Sequence, residues 1–342
     1  MHTVYRFFYS RKSFMFPERQ HGPHRDWKQE VEYLDQIFKN GSAYTVGKVN
    51  GDHWLLYMTS AEGHPTSSAA DPTMSSVTDT TDRHVDYTIE ILMSDLSPKA
   101  SQPFFFNDPL VEVPEATPAS QAQDLSEKLG ITDIFPPALT NVDAYAFQPC
   151  GYSSNALIKW GHESLDYDSD STNSEHHADQ MNGANGTNGK NGANGSNIHN
   201  SDGLPGHFGE GYYTIHVTPE QGWSYASFEC NIPLSTRSHL PTRQTKIPDL
   251  KTLIKRVVNI FEPGRITVTL FISSEDNDNG DEAESAMDAA QRAFKTALTE
   301  TSRCGKENGL YRSYKRTDKI NYEFGGYDLA FASFELKESV AK

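Results

Sequence analysis

Two strand-like arms separated by a tract that cannot pack leave a chain few ways to fold. The first arm reads Ala146-Phe147-Gln148-Pro149-Cys150-Gly151-Tyr152-Ser153-Ser154-Asn155. The second runs from Tyr212 through Thr214-Ile215-His216-Val217-Thr218-Pro219-Glu220 to Phe228-Glu229. Between them, residues 161–209 carry a near-triplet Asn/Gly repeat, Asn182 to Gly195, with no large apolar side chain. Such a composition has nothing to offset chain entropy and reads as a disordered surface insert. If the ends of the insert meet, the arms pair as an antiparallel hairpin, and Ser153, His216 and Glu220 come within reach of one another. His176, His177 and Asp179 inside the insert read as part of a solvated linker, not as a metal site.

The remaining segments agree with an antiparallel architecture. Residues 3–9 look like a strand. His24 to Phe38 has helical spacing, with Trp27, Val31, Leu34 and Phe38 on one face. Ala43–Val49 and His53–Met58 flank Asn50-Gly51, a strong hairpin signal. Residues 60–83, rich in Ser, Thr, Asp and Pro, read as a mobile loop. Asp86 to Met93 alternates, placing Asp86, Thr88 and Glu90 on one face and Tyr87, Ile89 and Ile91 on the other. Ser94 is a candidate helix cap, 124–129 a short helix closed by Gly130, and 144–148 a strand. Strands are also expected at 211–218, 223–230, 266–273, 310–314 and 327–336. The clearest helix is Leu250–Phe261, with Leu250, Leu253, Ile254, Val257, Val258 and Phe261 as its buried stripe, Pro248 at its start and Pro263-Gly264 at its end. Residues 274–284 read as an acidic loop, and 283–298 as a last helix.

Strands and helices do not alternate regularly, so a parallel nucleotide-binding sheet does not fit. One antiparallel sheet, or two stacked sheets, with helices outside does. No phosphate loop, zinc signature or nucleophile elbow is present. With 46 acidic against 30 basic residues the formal charge is −16. That disfavours nucleic acid and anionic membrane as partners and suits a cationic small ligand. No run is apolar enough for a membrane-spanning helix. Three cysteines, Cys150, Cys230 and Cys304, have no metal-type spacing and point to reduced thiols. With no secretory-type leader apparent, a cytoplasmic location is expected.

Four motifs in order resemble the eukaryotic S-adenosylmethionine decarboxylase family. They are Phe7-Phe8-Tyr9-Ser10-Arg11-Lys12, Asp86-x-Thr88-x-Glu90-Ile91-Leu92-Met93-Ser94, Phe147-x-Pro149-Cys150-Gly151-Tyr152-Ser153, and Thr214-Ile215-His216-x-Thr218-Pro219-Glu220. The resemblance covers nearly the whole chain outside 60–83, 161–209 and 274–306. It implies one α+β domain, a four-layer αββα sandwich of antiparallel sheets with helices on the outer faces. It also implies a carboxy-lyase of polyamine biosynthesis whose pyruvoyl cofactor arises by self-cleavage at an internal serine. In such an enzyme the ketone forms a Schiff base with S-adenosyl-L-methionine and acts as electron sink for loss of CO2. The product supplies spermidine and spermine synthesis.

The same resemblance assigns residues. His216 takes the α-proton during ester β-elimination, and Ser153 hydrogen-bonds the oxyoxazolidine intermediate of processing. Phe147 stacks on adenine and Glu220 holds the ribose hydroxyls. Asp86, Thr88, Glu90 and Glu229, with Phe8, Phe271 and Tyr327, match a putrescine site between the sheets, where clustered carboxylates need a cation. Cys150 borders the site without a catalytic role. Taken without the family, Phe147 reads as plain core, His216 as a packed or surface strand residue, and the acidic set as a solvated face.

One departure is large. The cleavage segment in this family has a Glu-Ser-Ser core upstream of the Phe7-Phe8-Tyr9 motif, and no Glu-Ser-Ser occurs in the 342 residues. The expectation is therefore a chain lacking the N-terminal part of the proenzyme. The missing part would include the pyruvoyl-forming serine, the proton-donor cysteine and one adenine-stacking aromatic. Alone, such a chain is expected to be inactive. The partners expected are S-adenosyl-L-methionine, putrescine, that N-terminal remainder and, since family members are often dimers, a second copy. The competing readings are an inactive truncated paralogue acting as a partner subunit and a non-functional fragment.

Overall fold

The computed structural model describes residues 7–51, 53–59, 87–106, 117–160, 209–236, 247–274, 284–300, 302–303, 311–324 and 326–337. In chain order the elements are β1 (Phe8–Arg11), α1 (Trp27–Ile37), β2 (Gly41–Gly47), β3 (His53–Thr59), β4 (Tyr87–Leu96), α2 (Pro98–Ser101), α3 (Pro118–Leu129), β5 (Thr140–Ala146), β6 (Tyr152–Trp160), β7 (Gly209–Thr218), β8 (Tyr225–Cys230), α4 (Leu250–Phe261), β9 (Pro263–Ser273), α5 (Ala286–Thr299), β10 (Ser302–Arg303), β11 (Tyr311–Arg312), β12 (Tyr314–Phe324) and β13 (Tyr327–Leu336). A small sheet runs β1-β3-β2 and a large one β12-β13-β9-β4-β8-β7-β6-β5, with β10 and β11 forming a separate ribbon. Every pairing between named strands is antiparallel.

Side-chain alternation decides which faces meet. On the helix side of the large sheet lie Ile89, Ile91, Ile215, Phe228, Val268 and Leu270, all buried in one cluster with the α4 stripe and with Met287 and Phe294 of α5. All six expected stripe residues of α4 are buried. On the other face, Leu92, Phe271, Tyr327, Leu329 and Phe331 pack against Val46, Trp54, Leu56 and Met58 of the small sheet. Helix α1 lies beyond that small sheet, joined to it by Tyr57 donating to Asp35 at 2.8 Å and by Arg11 donating to Glu30 at 2.8 Å. The order helix, sheet, sheet, helix is the expected αββα sandwich.

Gly41 shows how tightly the small sheet is built. A Cβ there would lie 1.8 Å from the Tyr57 hydroxyl, so β2 and β3 can pair in this register only with glycine at that position.

Several local expectations need correction. The first helix does not start at His24. Gly22–Arg25 is a 3-10 turn, and Asp26 caps α1 by accepting from the Lys28 N–H. The hairpin expected around Asn50-Gly51 is present, but its turn is wider than two residues: β2 and β3 close at Gly47 opposite His53, and the positive φ falls on Gly47. Ser94 is a strand residue opposite Tyr225 and Arg265, and Ser97, followed by Pro98, is the actual cap. The short helix at 124–129 begins at Pro118, because Thr117 caps it through the Ser120 N–H. The strand expected at 144–148 is β5, seven residues from Thr140 to Ala146. The last helix starts at Ala286 behind the Ser285 cap, not at 283.

The largest omission is β12. Its sequence is mostly polar, and apolar alternation gives no signal for it. As the edge strand beyond β13 it exposes Lys315 and Lys319, charges that discourage further strand addition. The loops expected at 60–83, within 161–208 and at 275–283, and the strand residues 3–6, lie outside the described residues, whereas Gly209 opens β7.

Candidate active site

The expected hairpin is present. Strands β6 and β7 pair from Tyr152 opposite Val217 to Trp160 opposite Gly209, so the insert joins adjacent strand ends. This register puts Ser153 directly across from His216, with Ser153 Oγ 3.1 Å from His216 Nδ1. Their neighbours Tyr152, Ser154, Ile215 and Val217 point to the buried helix side. Ser153 and His216 therefore face the other way, and the imidazole is exposed.

The approach to β6 is clasped by the segment after α2. The Gly151 N–H donates to the Phe104 carbonyl, the Phe106 N–H to the Pro149 carbonyl, and the Phe147 N–H to the Gly151 carbonyl. Gly151 holds φ at +113°, a conformation other residues rarely adopt, and a Cβ there would touch both Phe147 Cβ and the Val217 carbonyl at 3.5 Å. The turn thus presses Phe147 against the start of the hairpin. Its ring is 47% exposed and tilts against Tyr145 at 5.1 Å, so it is not plain core.

Glu220 follows β7 and turns back, its carbonyl accepting from the Trp223 N–H at 3.3 Å. One carboxylate oxygen, Oε2, is buried with no hydrogen-bond partner. Cys150 lies beside this carboxylate. Burial, followed by the negative charge of Glu220, pushes its thiol above the usual range, which suits a quiet border residue rather than a thiolate. Phe147, Cys150, Ser153, His216 and Glu220 thus gather at one end of the β6–β7 hairpin.

The second predicted set lies between the two sheets. Thr88 sits opposite Phe271, and Glu90 is flanked by Thr269 on β9 and Glu229 on β8. Phe8, Phe271 and Tyr327 form a ring cluster with centroid distances of 4.6, 5.4 and 4.7 Å. Asp86 lies outside the described residues. Residues not foreseen complete the group. Ser10 donates to Glu90 at 2.7 Å, Tyr212 donates to Glu229 at 2.7 Å, and Lys12 Nζ donates to Thr267 Oγ1 at 2.7 Å. Phe8 and Ser10 share one face of β1 and Lys12 follows just beyond its end, but that alternation does not say which residues of the large sheet they meet. Glu90 Oε2 and Trp54 Nε1 are both buried without a hydrogen bond of normal geometry.

Burial raises the Glu90 carboxyl to about 7, with Glu229 adding to the rise and the Ser10 hydroxyl, the Trp54 indole and Lys12 opposing it. This has a sign in stability. Between about pH 4.5 and about 7 the folded protein keeps a proton on Glu90 that the unfolded chain has lost. Stability contributed by this group is therefore full below the lower value and falls as pH rises through the upper one. Glu90→Gln should flatten the fall, by up to about 3 kcal/mol across the window. Urea unfolding of both proteins at pH 5 and pH 8 measures it; parallel pH profiles would refute the assignment.

Comparison with known proteins agrees with the motifs. The family model of adenosylmethionine decarboxylase matches residues 1–164 and 193–335. The chain belongs to the adenosylmethionine decarboxylase family. Among its relatives, S-adenosylmethionine decarboxylase proenzyme of Xenopus laevis is 28% identical over 97% of this chain and 65% of the relative. The proenzyme of Drosophila melanogaster is 30% identical over 97% of the chain and 67% of the relative, and that of Saccharomyces cerevisiae 27% over 97% and 65%. The chain thus spans about two thirds of the length of these relatives. A solved structure, the Trypanosoma brucei AdoMetDC-delta26 monomer, aligns over 98% of this chain and 86% of that one, at 16% identity and a TM-score of 0.46. Every site residue named above falls inside the stretches matched by the decarboxylase family model. Among the described residues, no group of three or more His, Cys, Asp or Glu is placed to hold a metal, and no helix is long and apolar enough to cross a membrane.

Proposed function

We propose that the chain serves in the decarboxylation of S-adenosyl-L-methionine, the step that supplies aminopropyl groups for spermidine and spermine. The observation that carries this is the Ser153–His216 pair, aligned by strand register at 3.1 Å, at the same end of the hairpin as a carboxylate with an unpartnered buried oxygen. Phe147 offers an exposed flat face to adenine. Glu220 offers carboxylate acceptors to a vicinal diol, with Oε2 making no hydrogen bond of good geometry within the chain. Ser153 holds the imidazole, and His216 moves a proton at the backbone carbon undergoing elimination during processing.

These residues fit a self-derived pyruvoyl group: a hydroxyl and an imidazole stand together beside Phe147 and Glu220. When present, that group supplies a ketone that draws off the electron pair released as CO2 leaves. Ser153 and His216 would border it. The inter-sheet cluster is read as the diamine site, with Glu90 and Glu229 as its anionic ligands and Phe8, Phe271 and Tyr327 as its apolar wall.

Calorimetric binding of S-adenosyl-L-methionine to the purified chain tests the reading. Phe147→Ala should weaken binding by about tenfold, the loss of one base–aromatic stack, and Glu220→Gln should also weaken it. For the chain joined to the upstream cleavage segment of the family, mass spectrometry and release of labelled CO2 from carboxyl-labelled substrate report processing and turnover. A chain that binds no substrate, or whose binding ignores both substitutions, overturns the assignment.

A further inference from the structure

The acidic pair between the sheets already has a cation supplied by the chain. Lys12 extends from the end of β1 to the face shared by Glu90 and Glu229, where its ammonium donates to Thr267 at 2.7 Å and its charge acts on Glu90. The two carboxylates stand directly opposite each other on β4 and β8. The pocket is not closed by these contacts. Glu90 Oε2 and the indole N–H of Trp54, a residue only 3% exposed, make no hydrogen bond of good geometry, although the indole is close enough to hold down the Glu90 pKa.

We infer that Lys12 is a built-in counter-ion that sets the affinity and the charge preference of this pocket for amines. The inference rests on reading the pocket as a diamine site. At a pH above about 7, where Glu90 has lost its proton, the two carboxylates with Lys12 sum to one negative charge, which a single ammonium neutralises, and the amine titrations are run there. A second ammonium would have to share the space with Lys12. Without the lysine, the two carboxylates match a dication. Lys12 therefore weakens diamine binding and narrows the difference between diamine and monoamine. It is a positioning and specificity residue, separate from the substrate site around Phe147 and Glu220.

The experiment is calorimetric titration of putrescine and of butylamine into the wild-type chain, Lys12→Met and Lys12→Arg. Lys12→Met keeps the length of the side chain and removes its charge. Putrescine should bind Lys12→Met about tenfold more tightly, the putrescine-to-butylamine preference should rise, and Lys12→Arg should restore wild-type values. A merely structural lysine would weaken both amines alike when replaced. An unchanged preference, or weaker putrescine binding in Lys12→Met, overturns the inference.

If the wild-type chain binds neither amine, the diamine reading fails by itself, and a pH titration decides the counter-ion role. The groups facing Glu90 are Ser10 and Lys12 from β1 and its end, Trp54 from β3, Tyr212 from β7, Glu229 from β8 and Thr269 from β9. Of these only Lys12, Tyr212 and Glu229 titrate. The NMR resonance of the Trp54 indole N–H should follow Glu90, with its midpoint moved upward in Lys12→Met. A midpoint that stays in place sinks the inference.

Discussion

In a protein that joins this chain to the family's upstream cleavage segment, replacing His216 by alanine is expected to lower self-processing, and with it CO2 release, by about 10²- to 10⁴-fold, the usual worth of a positioned acid–base group. The fold should be almost unaffected, because the imidazole is exposed and touches the hairpin through Ser153, while Ile215 and Val217 carry the packing of β7. The urea midpoint should therefore correspond to a stability within about 0.5 kcal/mol of wild type. Ser153→Ala should produce a smaller loss, since it leaves the imidazole in place but unheld. The strand register makes the comparison clean: His216 pairs with Ser153 on one side and Ser227 on the other, so no core side chain loses a neighbour. Gel analysis of cleavage with time, and labelled CO2 release, give the rates. A loss below threefold would remove His216 from the chemistry.

The hairpin could be foreseen because an insert built around an Asn/Gly repeat without large apolar residues offers little to a core, so its two flanks must be near each other. Alternation did the rest, fixing Ser153 and His216 to the same face once either was placed. The acidic set was equally visible along β4, where Thr88 and Glu90 interleave with Tyr87, Ile89 and Ile91. What pattern could not show was the other side of each contact. Ser10, Lys12, Trp54 and Tyr212 come from three further strands, and the sandwich brings them to Glu90 and Glu229 across sequence gaps that leave no periodic trace. Boundary errors have a common source: Asp26, Ser97 and Thr117 hold their helix starts through single side-chain bonds, and two of the three precede a proline. The edge strand β12 was missed because exposure on an edge removes the apolar alternation by which strands are recognised.

The same blindness hid the residue with the largest expected effect on stability. Glu30 is the one fully buried residue of α1, only 2% exposed, on a helix whose apolar face is only partly buried. Arg11 reaches it through Nε at 2.8 Å and through a terminal nitrogen at 2.8 Å; Tyr9 donates at 3.3 Å, and His24 Nδ1 lies 2.6 Å away. The guanidinium also lies over the rings of Phe14 and Trp27, at 4.5 and 5.7 Å. Glu30→Leu alone strands a buried cation and should cost about 3–5 kcal/mol. Replacing both partners, Arg11→Met with Glu30→Leu, leaves no unpaired charge and should recover most of that loss. Urea unfolding of the four proteins in a double-mutant cycle measures the coupling; a coupling below about 1 kcal/mol would show that α1 is held by its apolar contacts instead. The consequence reaches the inter-sheet pocket. Tyr9 and Arg11 face α1, while Phe8, Ser10 and Lys12 face the large sheet. A helix released from Glu30 frees β1 on its outer side, so the variant should also loosen the Ser10 and Lys12 contacts that hold down the Glu90 pKa, and its fall in stability should extend to higher pH as that carboxyl moves further up.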